Sequence, residues 1–361
     1  MLPEQPLGAH VLDRSQHARV ILNPCAGKKP LLASNPYTLE DVIRCLEEVG
    51  LSYDLIVPES AEATVLAARE AVAEGSELLV AAGGDGTVSL VAAQVVGSGS
   101  TLGVLPLGTM MNIARTLRIP RDLHTAVKLL DSGSAYRIDV GEINGVYFFE
   151  AVSIGLSADL IQAVEEFEQG KIVSSLRLLW RLRHYQPVPI QLTIDGRTIM
   201  TQTMAVMIHN GPYIGPAFNV DPEAQIDDGL LDIIIFRQHS KWELAHHFAA
   251  LAFGRHHDHH WISRLAGKRI RVAANVPLPV RADLRDVGMT PVEVRIVPQV
   301  INVVMGSTSS QIALDQKTTP RRDLIEIGFS NQGLLMLFGA WLLSLVALVR
   351  RVLRNATVGE G

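Results

Sequence analysis

Gly83-Gly84-Asp85-Gly86-Thr87 stands between an apolar run, Leu78 to Ala82, and a stretch of helical character that opens near Thr87. Glycines at a strand end let backbone N–H groups approach a phosphate with no Cβ in the way. The helix that follows adds the positive end of its dipole, which favours an anion at the same place. The sequence contains no G-x-x-x-x-G-K-S/T, so no Walker lysine serves the phosphates. Asp85 would repel a phosphate directly, and its natural role is through a divalent cation or in fixing the loop. Taken alone, GGDGT also fits an ordinary glycine turn capped by Thr87. Two further loops follow apolar runs: Asn23-Pro24-Cys25-Ala26-Gly27, and Pro106-Leu107-Gly108-Thr109-Met110-Met111-Asn112. Singly each is a weak signal; in this order and spacing the three are specific.

The elements that must hold these loops alternate. Residues 18–23 (ARVILN), Tyr53 to Val57, Leu78 to Ala82 and Thr101 to Leu105 read as strands. Helical spacing separates them at 38–49, at 61–74, from Thr87, and again after Thr109. Such alternation predicts a doubly wound parallel sheet, which places all three loops at its carboxyl edge, where α/β ligands bind. This α/β unit spans about residues 15–138. From 139 the texture turns to strands and hairpins: 139–152 (DVGEINGVYFFEAV), 190–195 with an Asp195-Gly196 turn, 198–208, 230–236, 269–273, 278–282, 292–297 and 300–305. Helical segments interrupt only near 157–184 and 241–253. The expectation for 139–305 is an antiparallel sandwich, with a strand near 296–305 able to return to the first sheet.

A polar linker, 306–332, precedes Gly333 to Val349 (GLLMLFGAWLLSLVALV), seventeen residues without a charge. At helical rise these span roughly 26 Å, just short of a hydrocarbon core. Apolar all round and followed by Arg350, Arg351 and Arg354, the segment reads as a membrane helix, with a buried or oligomer-forming helix as the alternative. The arginines favour a cytoplasmic C-terminus. A nucleotide site on the same side then requires either that they cross or that the helix enters without spanning.

Here the sequence resembles the bacterial lipid kinases with a diacylglycerol-kinase catalytic domain. The loops NPCAG (23–27), GGDGT (83–87) and PLGTMMN (106–112) are similar to that family's NPxSG, GGDGT and PxGTxND. AQIDDGLLD (224–232) and RADLRDVGMTPVEVRIVP (281–298) extend the resemblance, which covers about residues 18–305. It implies an ATP-dependent lipid kinase that phosphorylates the hydroxyl of a membrane lipid such as diacylglycerol. By the same resemblance Asn23, Gly83, Gly84, Asp85, Gly86, Thr87, Gly108 and Thr109 would line the ATP phosphates. Asp228, with main-chain oxygens of Gln225 and Leu230, would match a Mg²⁺ site of hard oxygen ligands. Asp283, at the position opening the family's DGE, would accept the proton of the attacking hydroxyl, with Asp85 as its catalytic companion. The resemblance also implies a lipid and a membrane as partners, and homodimers. The chain departs from the pattern at Ala26 for serine, Asn112 for aspartate and Arg285 for glutamate; Asp286 lies beside the last.

Bulk properties agree. With 361 residues the chain can build two domains. It is 48% hydrophobic and 19% charged, with a mean hydropathy of +0.22, so disorder is not expected. A net charge of −5 gives no support for a nucleic-acid partner. Two cysteines, Cys25 and Cys45, make no disulfide framework. The first twenty residues hold no signal-peptide core, so the expected location is the cytoplasmic face of a membrane, anchored by the apolar tail. His256 to His260 reads as a solvated loop rather than a metal site, and Lys171–His184 as an amphipathic stretch that either meets anionic headgroups or packs on the core. Two other functions compete: a soluble-metabolite kinase of the NAD-kinase kind, and a non-catalytic membrane protein that retains nucleotide or lipid binding.

Overall fold

The structure, a computed structural model, describes residues 10–11, 17–29, 32–33, 37–168, 185–214, 218–237 and 262–306. After β1 (His10–Val11), the chain enters β2 (Ala18–Leu22), buried along nearly its whole length. A small hairpin of β3 (Lys28–Lys29) and β4 (Leu32–Ala33) precedes α1 (Leu39–Val49). Thr38 and Asp41 close a capping box at its start, and Gly50, at φ +78°, ends it in the left-handed region. Next come β5 (Tyr53–Ile56), α2 (Ala61–Ala73) capped by Ser60, β6 (Leu78–Gly83), α3 (Asp85–Val95) and β7 (Thr101–Pro106). These strands pair in parallel in the order β5-β2-β6-β7. Every residue of β6 is buried, as a central strand covered on both faces requires. The winding reverses between β2 and β6, so the crevice at their carboxyl ends is the topological switch point. The loops after β2, β6 and β7 all emerge there. A five-residue α4 (Asn112–Thr116) and α5 (Leu123–Ser132) complete this half.

From β8 (Ser134–Ile143) onward the added pairings are antiparallel, save one. β9 (Val146–Phe148) and β10 (Ala151–Gly155) lead into α6 (Leu156–Glu168), followed by β11 (Val188–Ile194) and the long β12 (Arg197–His209). Asp195 and Gly196, both at positive φ, make the tight turn between β11 and β12. A two-residue pairing of β13 (Tyr213–Ile214) with β14 (Phe218–Asn219) precedes β15 (Leu231–Arg237), β16 (Ile262–Gly267), β17 (Arg269–Ala274), β18 (Pro279–Ala282) and β19 (Arg285–Met289). β12 is flanked by β10, β11 and β15. The last strand, β20 (Val292–Met305), is the exception: it pairs antiparallel with β17 at its start and parallel with β7 at Asn302 and Val303. β8 accompanies it through a bulge between Val297 and Ile301. One sheet therefore runs through both halves, with an apolar core on each side of the joint.

Among the described residues no helix is long and apolar enough to cross a membrane. The apolar segment 333–349, its linker, Lys171–His184 and His256–His260 lie outside the described residues.

Candidate active site

Three loops close on one another at the switch point. The Asn23 side chain accepts from Cys25 N (3.0 Å) and donates to Thr87 Oγ1 (3.1 Å), joining the first loop to the start of α3. Leu107 N donates to Gly83 O (3.0 Å). A Cβ on Gly108 would lie 2.4 Å from Gly84 Cα, so the second and third loops meet backbone to backbone. Gly84 caps α3 without a side-chain bond, leaving the N–H groups of the first turn to a ligand. Asp85 points away from that turn: its carboxylate accepts from Met111 N (2.7 Å) and Ile113 N (3.0 Å). Those bonds hold Met111 at φ +64° and start α4, a helix too short to form unaided. Burial pushes the Asp85 carboxyl up, and these N–H donors pull against it. On the far side of the third loop, Arg121 donates to Thr109 O (3.1 Å).

The opposite wall comes from the antiparallel half. Asp283, at φ +48° between β18 and β19, accepts at Oδ1 from Glu150 N (2.8 Å) and Ala151 N (3.2 Å). Its Oδ2 accepts from Ser89 Oγ on α3 and from Phe149 N, both at 3.0 Å. Both oxygens are thus occupied, and one carboxylate fastens β10 to α3. Burial raises its pKa, while the N–H donors, Ser89 and the Arg285 guanidinium lower it. Arg285 itself donates to Tyr147 O (2.6 Å), and Arg281 pairs with Glu165 at 2.6 Å. The Glu150 carboxylate, in a residue 7% exposed, accepts a single hydrogen bond among the described residues, from Asn112 Nδ2 to Oε2 (2.6 Å). Burial, then the charges of Asp85 and Asp283, push its pKa well above the usual carboxylate range.

Between the walls lies a cleft of roughly 890 Å³. Of the residues singled out from the sequence, Asn23, Gly84, Asp85, Gly86, Thr87, Gly108, Thr109 and Asp283 line it. Gly83 sits behind, packed on Thr87. Gln225, Asp228 and Leu230 do not line the cleft; they belong to the turn before β15. There Asp228 Oδ1 accepts from Leu230 N (2.9 Å), and Gly229 N donates to Asp139 Oδ2 (2.6 Å). Asp139, fully buried, also accepts from Gln299 N (2.7 Å) at the β20 bulge. Glu150, Ser89, Asp139 and Arg121 were not singled out from sequence. Only Glu150 carried a local signal, an acid inside the apolar run Val146 to Val152.

Two family models match the chain: the diacylglycerol kinase catalytic domain over residues 17–143, and the YegS C-terminal NAD kinase beta sandwich-like domain over 150–305. A diacylglycerol kinase of Bacillus subtilis (strain 168) is 27% identical over 296 residues, covering 80% of this chain and 96% of the relative. One from Staphylococcus aureus (strain MRSA252) is 25% identical over 276 residues, covering 74% of this chain and 85% of its own. The crystal structure of a diacylglycerol kinase from Bacillus anthracis str. Sterne shares the fold, with a TM-score of 0.63 at 20% identity over 81% of this chain and 97% of that one.

Proposed function

The chain belongs to the bacterial diacylglycerol kinase-like family and is a kinase, and on that premise we propose that it transfers the γ-phosphoryl group of ATP to the hydroxyl of a membrane lipid such as diacylglycerol. The observation that carries this reading is the joined cradle of three loops, open on one side to a cleft walled by buried carboxylates. The free N–H groups at the start of α3, with Asn23, Thr87 and Thr109, suit the phosphates of MgATP. Asp85 acts by shaping the third loop. Asp283 aligns β10 against α3 and so sets the distance between the nucleotide and the substrate wall. Positioning and charge neutralisation supply most of the barrier reduction in phosphoryl transfer.

The turn before β15 fits a structural Mg²⁺. Burial raises the Asp139 pKa, the N–H groups of Gln299 and Gly229 lower it, and the charges of Asp227 and Asp228 raise it further; among the described residues no cationic side chain pairs with the three. Asp228 and the main-chain oxygens of Gln225 and Leu230 would hold the ion, which would fix this turn against β8 and the β20 bulge. We place the protein at the cytoplasmic face of a membrane, with 333–349 as its anchor, because its substrate would not leave the bilayer.

The test is transfer of labelled γ-phosphate from ATP, with Mg²⁺, to a panel of micellar lipids, comparing wild type with Asp85→Ala and Asp283→Asn. Phosphorylation of one lipid class, lost in both variants, is the expected result. Transfer to water-soluble alcohols alone, or to nothing despite ATP binding, would refute the lipid-kinase reading.

A further inference from the structure

The geometry points to Glu150 as the group that takes the proton from the attacking hydroxyl. This rests on the kinase reading above and adds a catalytic residue to it. Five carboxylates line the cleft, of which Glu59 is exposed to solvent, Glu165 pairs with Arg281, and Asp85 and Asp283 are engaged at both oxygens. Asp85 is spent on Met111 and Ile113, and Asp283 accepts four donors, three of them backbone N–H groups. Neither carboxylate keeps an oxygen without a donor. Glu150 differs: Oε2 is held by Asn112, while Oε1 accepts from no donor among the described residues, and the residue lines the cleft. Asn112 belongs to the loop that packs on GGDGT, so the hydrogen bond that orients Glu150 also ties it to the nucleotide cradle.

The step balances simply. The lipid oxygen bonds to the γ-phosphorus, the bond from that phosphorus to the β,γ-bridging oxygen breaks, and ADP leaves with its electrons. The hydroxyl proton passes to Oε1 of Glu150 and is then released to water. Burial, and then the groups facing it, make Glu150 a stronger base than a solvated glutamate: Asp85 from α3, Asp283 beside β18 and Glu165 from α6 all disfavour its charge. The hydrogen bond from Asn112 of α4 opposes them, and the Arg285 guanidinium lowers the pKa of Asp283.

The experiment is lipid phosphorylation across pH 5 to 9 by wild type, Glu150→Gln and Glu150→Asp, with thermal unfolding of each. A general base predicts that Glu150→Gln lowers kcat about 10²- to 10⁴-fold, leaves KM for ATP and lipid within about threefold, and abolishes the acidic limb of the kcat profile. Glu150→Asp is expected to keep that limb with a smaller loss. The double variant Asn112→Asp/Glu150→Gln returns a carboxylate to the other side of the same hydrogen bond and should recover part of the rate. A folded Glu150→Gln that retains kcat within threefold, or loses kcat but keeps the acidic limb, overturns the proposal while the kinase reading stands. If Glu150→Gln does not fold, an unchanged kcat and profile in Glu150→Asp overturns it equally. A wild type that phosphorylates no lipid hydroxyl refutes the underlying reading, and the assignment falls with it.

Discussion

Aspartates and glutamates in one cleft act differently because their hydrogen bonds differ. Asp283 is the clearest case, since its partners span the two halves of the chain: Ser89 on one side, Phe149 to Ala151 on the other. Asp283→Asn keeps the shape but turns an NH₂ group toward backbone donors. We expect unfolding free energy to fall by about 2–3 kcal/mol in a urea titration, because buried N–H groups lose their acceptor. Wild-type stability would show that the joint does not need the charge. His209 makes a second residue-scale prediction. Its Nδ1 pairs with Gly211 O at 3.0 Å, Nε2 is buried with no partner among the described residues, and burial lowers its pKa from 6.5 to about 4. Between those values the unfolded chain holds a proton that the folded chain refuses. The stability is therefore full above pH 6.5 and lost as pH falls toward 4, by about 3 kcal/mol at most. His209→Gln should flatten the dependence of the unfolding midpoint on pH over that window; an unaltered slope would assign acid sensitivity elsewhere.

At the scale of elements, the contact of Gly84 with Gly108 decides whether the cradle closes. A methyl at position 108 meets backbone, which cannot rotate aside. Gly108→Ala is expected to raise KM for ATP at least about tenfold and to lower stability by about 2 kcal/mol, read by nucleotide titration and denaturant unfolding. Unaltered nucleotide affinity would mean that the loops part without consequence. The three loops were legible because a parallel strand buried on both faces leaves an uninterrupted apolar run, and the glycines that end it stand out. The strands around them were legible for the same reason. Other elements were less so. Of α4 only the opening, expected after Thr109, was legible; it is nucleated from outside by Asp85, and no local signal marks its end after five residues. α5 lies beyond the helix expected after Thr109, with Leu123, Ala126, Val127 and Leu130 at helical spacing behind an Asp122 cap. The duties of Asp283 and Glu150 depend on Ser89 and Asn112, 194 and 38 residues away, and no local pattern encodes such pairings.

At the scale of the molecule, the sequence suggests two units with a strand near 296–305 that could return, and β20 does return: one sheet runs through both halves, and β8 and β20 belong to each. The reason is the Val297–Ile301 bulge, pinned by Asp139 to Gln299, which lets a single strand satisfy an antiparallel neighbour at its start and a parallel one at its end. The cleft sits beside this joint, so its walls keep their spacing only while the joint holds. This has a consequence for cooperativity. If the sheet couples the halves, loosening β20 on one side must weaken both. Val303 is fully buried against β7 and lies in the core of the parallel half. Val303→Ala removes two methyls there and should lower stability by about 2 kcal/mol. The expected reading by hydrogen exchange is an equal loss of protection for amides of β2, in the parallel half, and of β12, in the antiparallel half. Loss confined to β2 would mean that the halves unfold separately, and that the wall carrying Glu150 keeps its structure without the cradle it faces.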